Sequence, residues 1–176
     1  VKVINNGIDI SQFYPIKSNF RKKNGLENKY VLLGVATIWN EMKGYSDYLK
    51  LANVLEKDFR IVLVGLTKAQ IEKLPQNIIG IERTANTKEL AEIYTMADLF
   101  LNFSYCENYP TVNIEAMACG TPVLTYKTGG SPEIVEKYGG YIIEQGNLED
   151  VVKCLKKIKG HFTKCEICKS ECDYKE

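Results

Sequence analysis

The chain has 176 residues, 45% hydrophobic and 26% charged, with 23 basic side chains against 22 acidic and one histidine. That balance suits one soluble globular domain with a full apolar core, and a formal charge of +1 leaves no basic field to hold a nucleic acid. The longest apolar runs, such as those at 31–36 and 61–64, fall far short of the ~20 residues that cross a bilayer, and residues 1–6 lack the layout of a signal peptide.

In chain order, residues 1–29 do not share the rhythm of the remainder and read as a linker and lead-in segment. From residue 30, short β-branched runs alternate with helical patterns. Strands are predicted at 30–36, 59–65, 77–82, 98–103, 121–126 and 139–143. Most are apolar throughout, as strands covered on both faces are. Helices are predicted at 45–57, 67–74, 87–97, 110–119, 131–138 and 148–158. Thr67 with Gln70, and Asn86 with Glu89, have the spacing of helix-opening caps. Gly120 stands where a helix ending near Cys119 needs a left-handed residue. The fold class implied is α/β, a doubly wound, Rossmann-like parallel sheet of about six strands over residues 30–160, with a helical tail at 161–176. Ligands of such sheets lie beyond the carboxyl ends of the strands.

Three loops fall at that edge. Lys43-Gly44 opens a helix after the first strand, where an ammonium can neutralise a diphosphate and a glycine permits close backbone approach. Glu107-x7-Glu115 spans a loop and a helix opened by Pro110. The amides of Tyr109, Thr111 and Val112 would face outward there at the positive end of the helix dipole, a phosphate site with a carboxylate to either side. Thr128-Gly-Gly-Ser-Pro-Glu133 comes after the fifth strand, its glycines either wrapping a ligand or forming a turn.

Taken together, these residues resemble the C-terminal, donor-binding half of glycosyltransferase family 4, a retaining group with the two-domain GT-B fold. The resemblance runs from about Val3 to Ile143. It rests on Asn6-Gly-Ile-Asp9 and Phe13-x-Pro15, Lys43-Gly44, Ala97-Asp98, Glu107-x7-Glu115-Ala-Met-Ala-x-Gly-Thr-Pro-Val123, and Gly129-Gly130-x-Pro-Glu133. It implies that Lys43 and Gly44 bind the donor diphosphate. Glu107, as the catalytic residue, would hold hydroxyls of the donor sugar, the loop of Asn108, Tyr109, Pro110 and Thr111 would bind phosphate and sugar, and Glu115 would bind the ribose. The substrate implied is a nucleoside diphosphate sugar, with no cofactor and no obligatory metal.

The chain departs from the family pattern in two respects. An arginine usual a few residues before the lysine is missing from Ala36-Thr-Ile-Trp-Asn40. Either Trp39 packs under the nucleotide, or donor phosphate binding is weaker, or another cation substitutes; Arg83, at the end of the third strand, is a candidate for the nucleotide rim. The second departure is that only one of the two GT-B domains is present. The implied partners are thus the nucleotide-sugar donor and a missing N-terminal acceptor domain, so that the chain reads as an inactive fragment of a cytoplasmic enzyme, at the inner membrane face, for bacterial surface polysaccharide. The alternatives are a stand-alone nucleotide-sugar-binding module without turnover, and a sugar-nucleotide epimerase of similar architecture.

Two features remain open. Lys153, Lys156, Lys157, Lys159 and Lys164 form a basic stretch that could rest on an anionic membrane or be a solvated helix face. His161, Cys165, Cys168 and Cys172 could supply four zinc ligands, or the cysteines could form one apolar helix stripe.

Overall fold

The computed structural model describes residues 6–159. Six strands form one all-parallel sheet: β1 Tyr30–Val35, β2 Phe59–Val64, β3 Ile78–Ile81, β4 Leu99–Asn102, β5 Val123–Tyr126 and β6 Tyr141–Ile143. Between and around them run α1 Phe20–Lys23, α2 Tyr45–Val54, α3 Lys68–Ile71, α4 Thr87–Met96, α5 Thr111–Ala118, α6 Ser131–Tyr138 and α7 Leu148–Ile158, with a single 3-10 turn at Glu41–Lys43. The predicted helical caps form: Thr67 and Gln70 make a reciprocal capping box, and the Asn86 side chain accepts from the Glu89 amide. Gly120 takes the left-handed backbone that ends α5, at φ +82°.

Side chains on a strand alternate between faces, and here each face has its own core. Val31, Leu33, Val62, Val64, Phe100 and Val123 pack with α4, α5 and α6. Leu32, Ile61, Leu63, Leu99, Leu101 and Leu124 pack with α2, α3 and α7. That double cover is why the strands read as unbroken apolar runs. The predicted lead-in segment is part of this body. Ile8 and Leu26 are buried, Phe13 meets Tyr94 edge-on, and the Arg21 guanidinium pairs with Asp98 at 2.6 Å.

The strand order is β3-β2-β1-β4-β5-β6. The chain therefore winds outward from β1 in one direction and then, from β4, in the other. Loops leaving β1 and β4 diverge to opposite faces and open a crevice at the carboxyl edge, the place where such sheets take their ligands. Gly65, at φ +98°, lets the end of β2 close against β1, since a Cβ there would lie 1.7 Å from the Ala36 carbonyl oxygen. The cysteine and histidine cluster at 161–172, and Lys164, lie outside the described residues.

Candidate functional site

A cavity of about 370 Å³ occupies the crevice. The end of β1 and the loop beyond it line the cavity with Val35 to Ile38, Asn40, Met42 and Lys43. Opposite stand Asn102, Ser104 and Glu107 from β4 and its loop, and Pro110, Thr111 and Val112 from the opening of α5. Lys43 and Glu107 meet across it, with Nζ donating to Oε1 at 2.6 Å. Their side chains are 38% and 12% exposed.

Local sequence explains why each is there. The Asn40 side chain accepts from the Lys43 amide and opens the 3-10 turn; Gly44, left-handed at φ +69°, closes it. The room that Gly44 makes is not for a ligand: a Cβ on it would sit 2.3 Å from the carbonyl oxygen of Phe103. Its close approach is therefore to the end of β4, and this draws the lysine loop against the loop of Glu107. Pro110 caps α5 instead of beginning it, and the helix starts at Thr111. The first amides of a helix have no partner within it, so Thr111 and Val112 bring unpaired donors and the positive dipole end to the cavity wall.

The glycine pair after β5 has a similar task. A Cβ on Gly129 would lie 1.6 Å from the Glu107 carbonyl oxygen, and the Gly130 amide donates to the Asn108 carbonyl at 2.6 Å. These glycines grip the loop of Glu107.

Of the remaining predicted residues, some flank the cavity and others stand apart. Asn108 is exposed with its carbonyl engaged by Gly130, and Tyr109 is half-buried against the core; neither is part of the lining. Glu115 sits one helical turn behind Thr111, facing α4, where its carboxylate accepts from the Tyr94 hydroxyl at 2.9 Å. Burial pushes its carboxyl up from the usual range, opposed by hydrogen bonds from Tyr94 and Thr111. A raised native pKa means that ionising Glu115 opposes folding as pH rises above the unfolded value. Glu115→Gln is therefore expected to raise Tm relative to wild type at pH 7, with the gain vanishing toward pH 4, as thermal unfolding at both pH values would show.

Trp39 does not pack beneath a ligand. Its ring is 6% exposed, its Nε1 donates to the Val64 carbonyl at 2.9 Å, and Tyr48 meets it edge-on. Ile38 lines the cavity instead and is 69% exposed. Arg83 is exposed beyond β3, the edge strand, with β2 between it and the crevice, and is not among the lining residues. In α7, Lys153 pairs with Asp150 and Lys156 with Glu56, and Lys159 at its C-terminal end pairs with Asp58, so much of the predicted basic stretch has carboxylate partners.

Sequence reasoning missed a supporting network. Asp47 on α2 is 3% exposed, and its Oδ2 accepts from the hydroxyls of Tyr105 at 2.6 Å and Tyr126 at 3.0 Å. Tyr105, two residues before Glu107, donates its amide to the Met42 carbonyl beside Lys43. Its own carbonyl accepts from Gln145 and Thr128. The hydrogen bond to Asp47 pushes the Tyr105 phenol up to about 12. Among the described residues no group of three or more His, Cys, Asp or Glu is placed to hold a metal ion, and no helix is long and apolar enough to cross a membrane.

A doubly wound sheet with a polar cavity at its switch point, walled by a helix opening and one ammonium, defines a Rossmann-like domain of the kind found in the C-terminal half of GT-B glycosyltransferases. The chain belongs to the glycosyl transferases group 1 family, whose model matches residues 16–168. It is 32% identical over 142 residues to an uncharacterized glycosyltransferase of Haemophilus influenzae, covering 74% of this chain and 39% of that protein. Spore coat protein SA of Bacillus subtilis is 27% identical, covering 81% and 44% respectively. The chain thus spans less than half the length of these curated relatives. Anabaena HepE in complex with UDP-glucose superposes with a TM-score of 0.77 at 23% identity, over 90% of this chain and 47% of that one. The C-terminal domain of a group 1 glycosyl transferase from Francisella tularensis, LpcC, gives a TM-score of 0.68 at 22% identity, over 88% of both.

Proposed function

We propose that this chain is the donor-binding domain of a retaining glycosyltransferase that takes a sugar from a nucleoside diphosphate sugar and passes it to an acceptor bound by a further domain. The observation that carries this reading is the meeting of one ammonium, one shielded carboxylate and the open turn of α5 in a single cavity at the switch point. A diphosphate finds the Lys43 charge and the Thr111 and Val112 amides there. Glu107 accepts hydrogen bonds from sugar hydroxyls on one side. Glu115, behind Thr111, takes the ribose on the other. Binding of UDP-glucose by HepE, which shares this fold, supports a nucleotide-sugar ligand.

In the transfer, the bond between the anomeric carbon and the diphosphate oxygen breaks and the acceptor oxygen forms the new bond. The acceptor proton passes to the departing diphosphate. Lys43 and the α5 amides stabilise the negative charge that grows on that leaving group, in an environment fixed before reaction. Glu107 keeps the sugar oriented, which lowers the barrier by positioning. No metal enters this scheme.

A role in bacterial surface polysaccharide rests on relatives such as spore coat protein SA. It also rests on a Campylobacter jejuni transferase whose name specifies a diphospho-undecaprenol-linked sugar, 27% identical over 82% of this chain. That relative, more than the paired lysines of α7, supports a place at the cytoplasmic face of the membrane.

Calorimetry of the chain with UDP, GDP, ADP and their glucose conjugates tests the reading. One base series is expected to bind, and Lys43→Ala is expected to weaken its diphosphate by about 1–3 kcal/mol, the worth of a charge-assisted hydrogen bond. Binding that ignores Lys43 would place the nucleotide elsewhere.

A further inference from the structure

Among the described residues that line the cavity, Lys43 and Glu107 are the only charged side chains, and they are hydrogen-bonded to each other. The site is therefore close to neutral before a ligand enters. Ile38, on the same wall, offers no second cation to hold a diphosphate independently of Lys43.

Burial sets the cost of separating the pair. The Glu107 side chain is only 12% exposed, against 38% for Lys43. An anion that draws the ammonium away leaves a carboxylate with little water around it, facing the anion's own charge. Leaving such a group without donors is unfavourable. A ligand that brings both phosphate for Lys43 and hydroxyl donors for Glu107 avoids that penalty. A diphosphate without a sugar cannot.

We propose that the Lys43–Glu107 pair acts as an internal competitor: it admits phosphate and sugar when they arrive on one molecule and disfavours a nucleoside diphosphate that carries no sugar. The proposal rests on the donor-binding reading above and extends it to the product. Once the glycosyl unit has left, Glu107 has lost its hydroxyl donors and returns to Lys43, which loosens the grip on the diphosphate and promotes its release. The surrounding loops favour that return. Gly129 and Gly130 hold the backbone of the Glu107 loop, and the Tyr105 amide ties it to Met42 beside Lys43.

The test is calorimetry of the 176-residue chain with UDP, GDP, ADP and their glucose conjugates, in wild type, Glu107→Gln, Lys43→Met and the double variant. In the base series that binds, wild type should favour the conjugate over the diphosphate by about tenfold. Glu107→Gln should tighten the diphosphate by about tenfold and weaken the conjugate, closing the gap. In the Lys43→Met background that gain should fall well below tenfold, because no ammonium remains to be freed and only the repulsion between Glu107 and the anion is relieved. Glu107→Asp, whose shorter chain withdraws the carboxylate from Nζ, should shift the diphosphate in the same direction, and circular dichroism would confirm that each variant is folded. Unchanged or weaker diphosphate binding by the Gln variant overturns the competitor. So does a tenfold gain that persists undiminished without Lys43, since it would then be plain charge repulsion. If wild type still binds the conjugate in either case, the donor reading stands alone. If wild type binds no member of the panel, the donor reading falls and takes the competitor with it.

Discussion

Replacing Gly129 with alanine is expected to unseat the loop that carries Glu107 and to remove most of the donor affinity. Gly129 has φ +46°, in the left-handed region where a side chain costs about 1–2 kcal/mol. The larger effect is steric. The new methyl would begin 1.6 Å from the Glu107 carbonyl oxygen and 2.6 Å from its carbon, with backbone and not a flexible tip as the obstacle. Either the glycine loop or the Glu107 loop must move, and the Gly130–Asn108 hydrogen bond lies in the same contact. A loss of about 2–4 kcal/mol in stability is expected, measured by thermal or denaturant unfolding. Binding of a nucleotide sugar should fall while binding of the diphosphate holds or tightens, since Glu107 is displaced from Lys43 and Lys43 is not. Gly139→Ala serves as the control, because a Cβ there meets nothing within 4 Å although φ is +87°. It should show the backbone strain without the loss of binding.

Asp47→Ala is the second substitution with a large expected effect, and its origin is electrostatic. One buried carboxylate accepts from two tyrosine hydroxyls and from Lys50. Its removal leaves the Tyr126 hydroxyl, on a ring with no exposure, without that acceptor. The expected loss is about 2–4 kcal/mol, which for a domain of this size lowers Tm by roughly 10 °C. The variant also has a spectroscopic signature. Tyr105 is pushed up to about 12 chiefly by its bond to Asp47. A phenol with a raised native pKa contributes stability that is present below about 10 and is lost as pH climbs toward that raised value. In the alanine variant, ultraviolet titration should find Tyr105 ionising nearer the ordinary tyrosine value, and the alkaline loss of stability should shrink. Tyr105→Phe removes one of the two tyrosine bonds to Asp47 and should cost less stability, because Asp47 keeps Tyr126.

Most of the fold is legible in the sequence because its signals are local. All six strands lie within the predicted runs, the structure trimming their ends by a residue or two. The caps at Thr67 and Asn86 and the left-handed Gly120 depend on residues a few places apart. The two ends of the ion pair are also singled out in the sequence, where Lys43-Gly44 and Glu107-x7-Glu115 resemble the family pattern, and the structure brings both to one cavity. What the sequence conceals is long-range. Asp47 reads as an ordinary acid in the first turn of a helix, and nothing local shows that its partners are 58 and 79 residues away. Trp39 stands after a strand in a loop that could equally have faced a ligand. Only the packing of Tyr48 and the Val64 carbonyl places it in the core. Arg83 stands at the carboxyl edge as expected, but strand order, which spacing does not encode, sets it two strands from the crevice. The glycine pair at 129–130 illustrates the same point. Its need for unusual backbone is readable, whereas the carbonyl it closes upon is not.

The most direct test of the donor site is a crystal structure of the chain soaked with the glucose conjugate of the base that binds. The diphosphate should lie against Lys43 Nζ and the opening amides of α5, with Glu107 turned from Lys43 to the sugar hydroxyls and Glu115 toward the ribose. A nucleotide sugar bound outside the β1–β4 crevice, with Lys43 and Glu107 still paired, would contradict it.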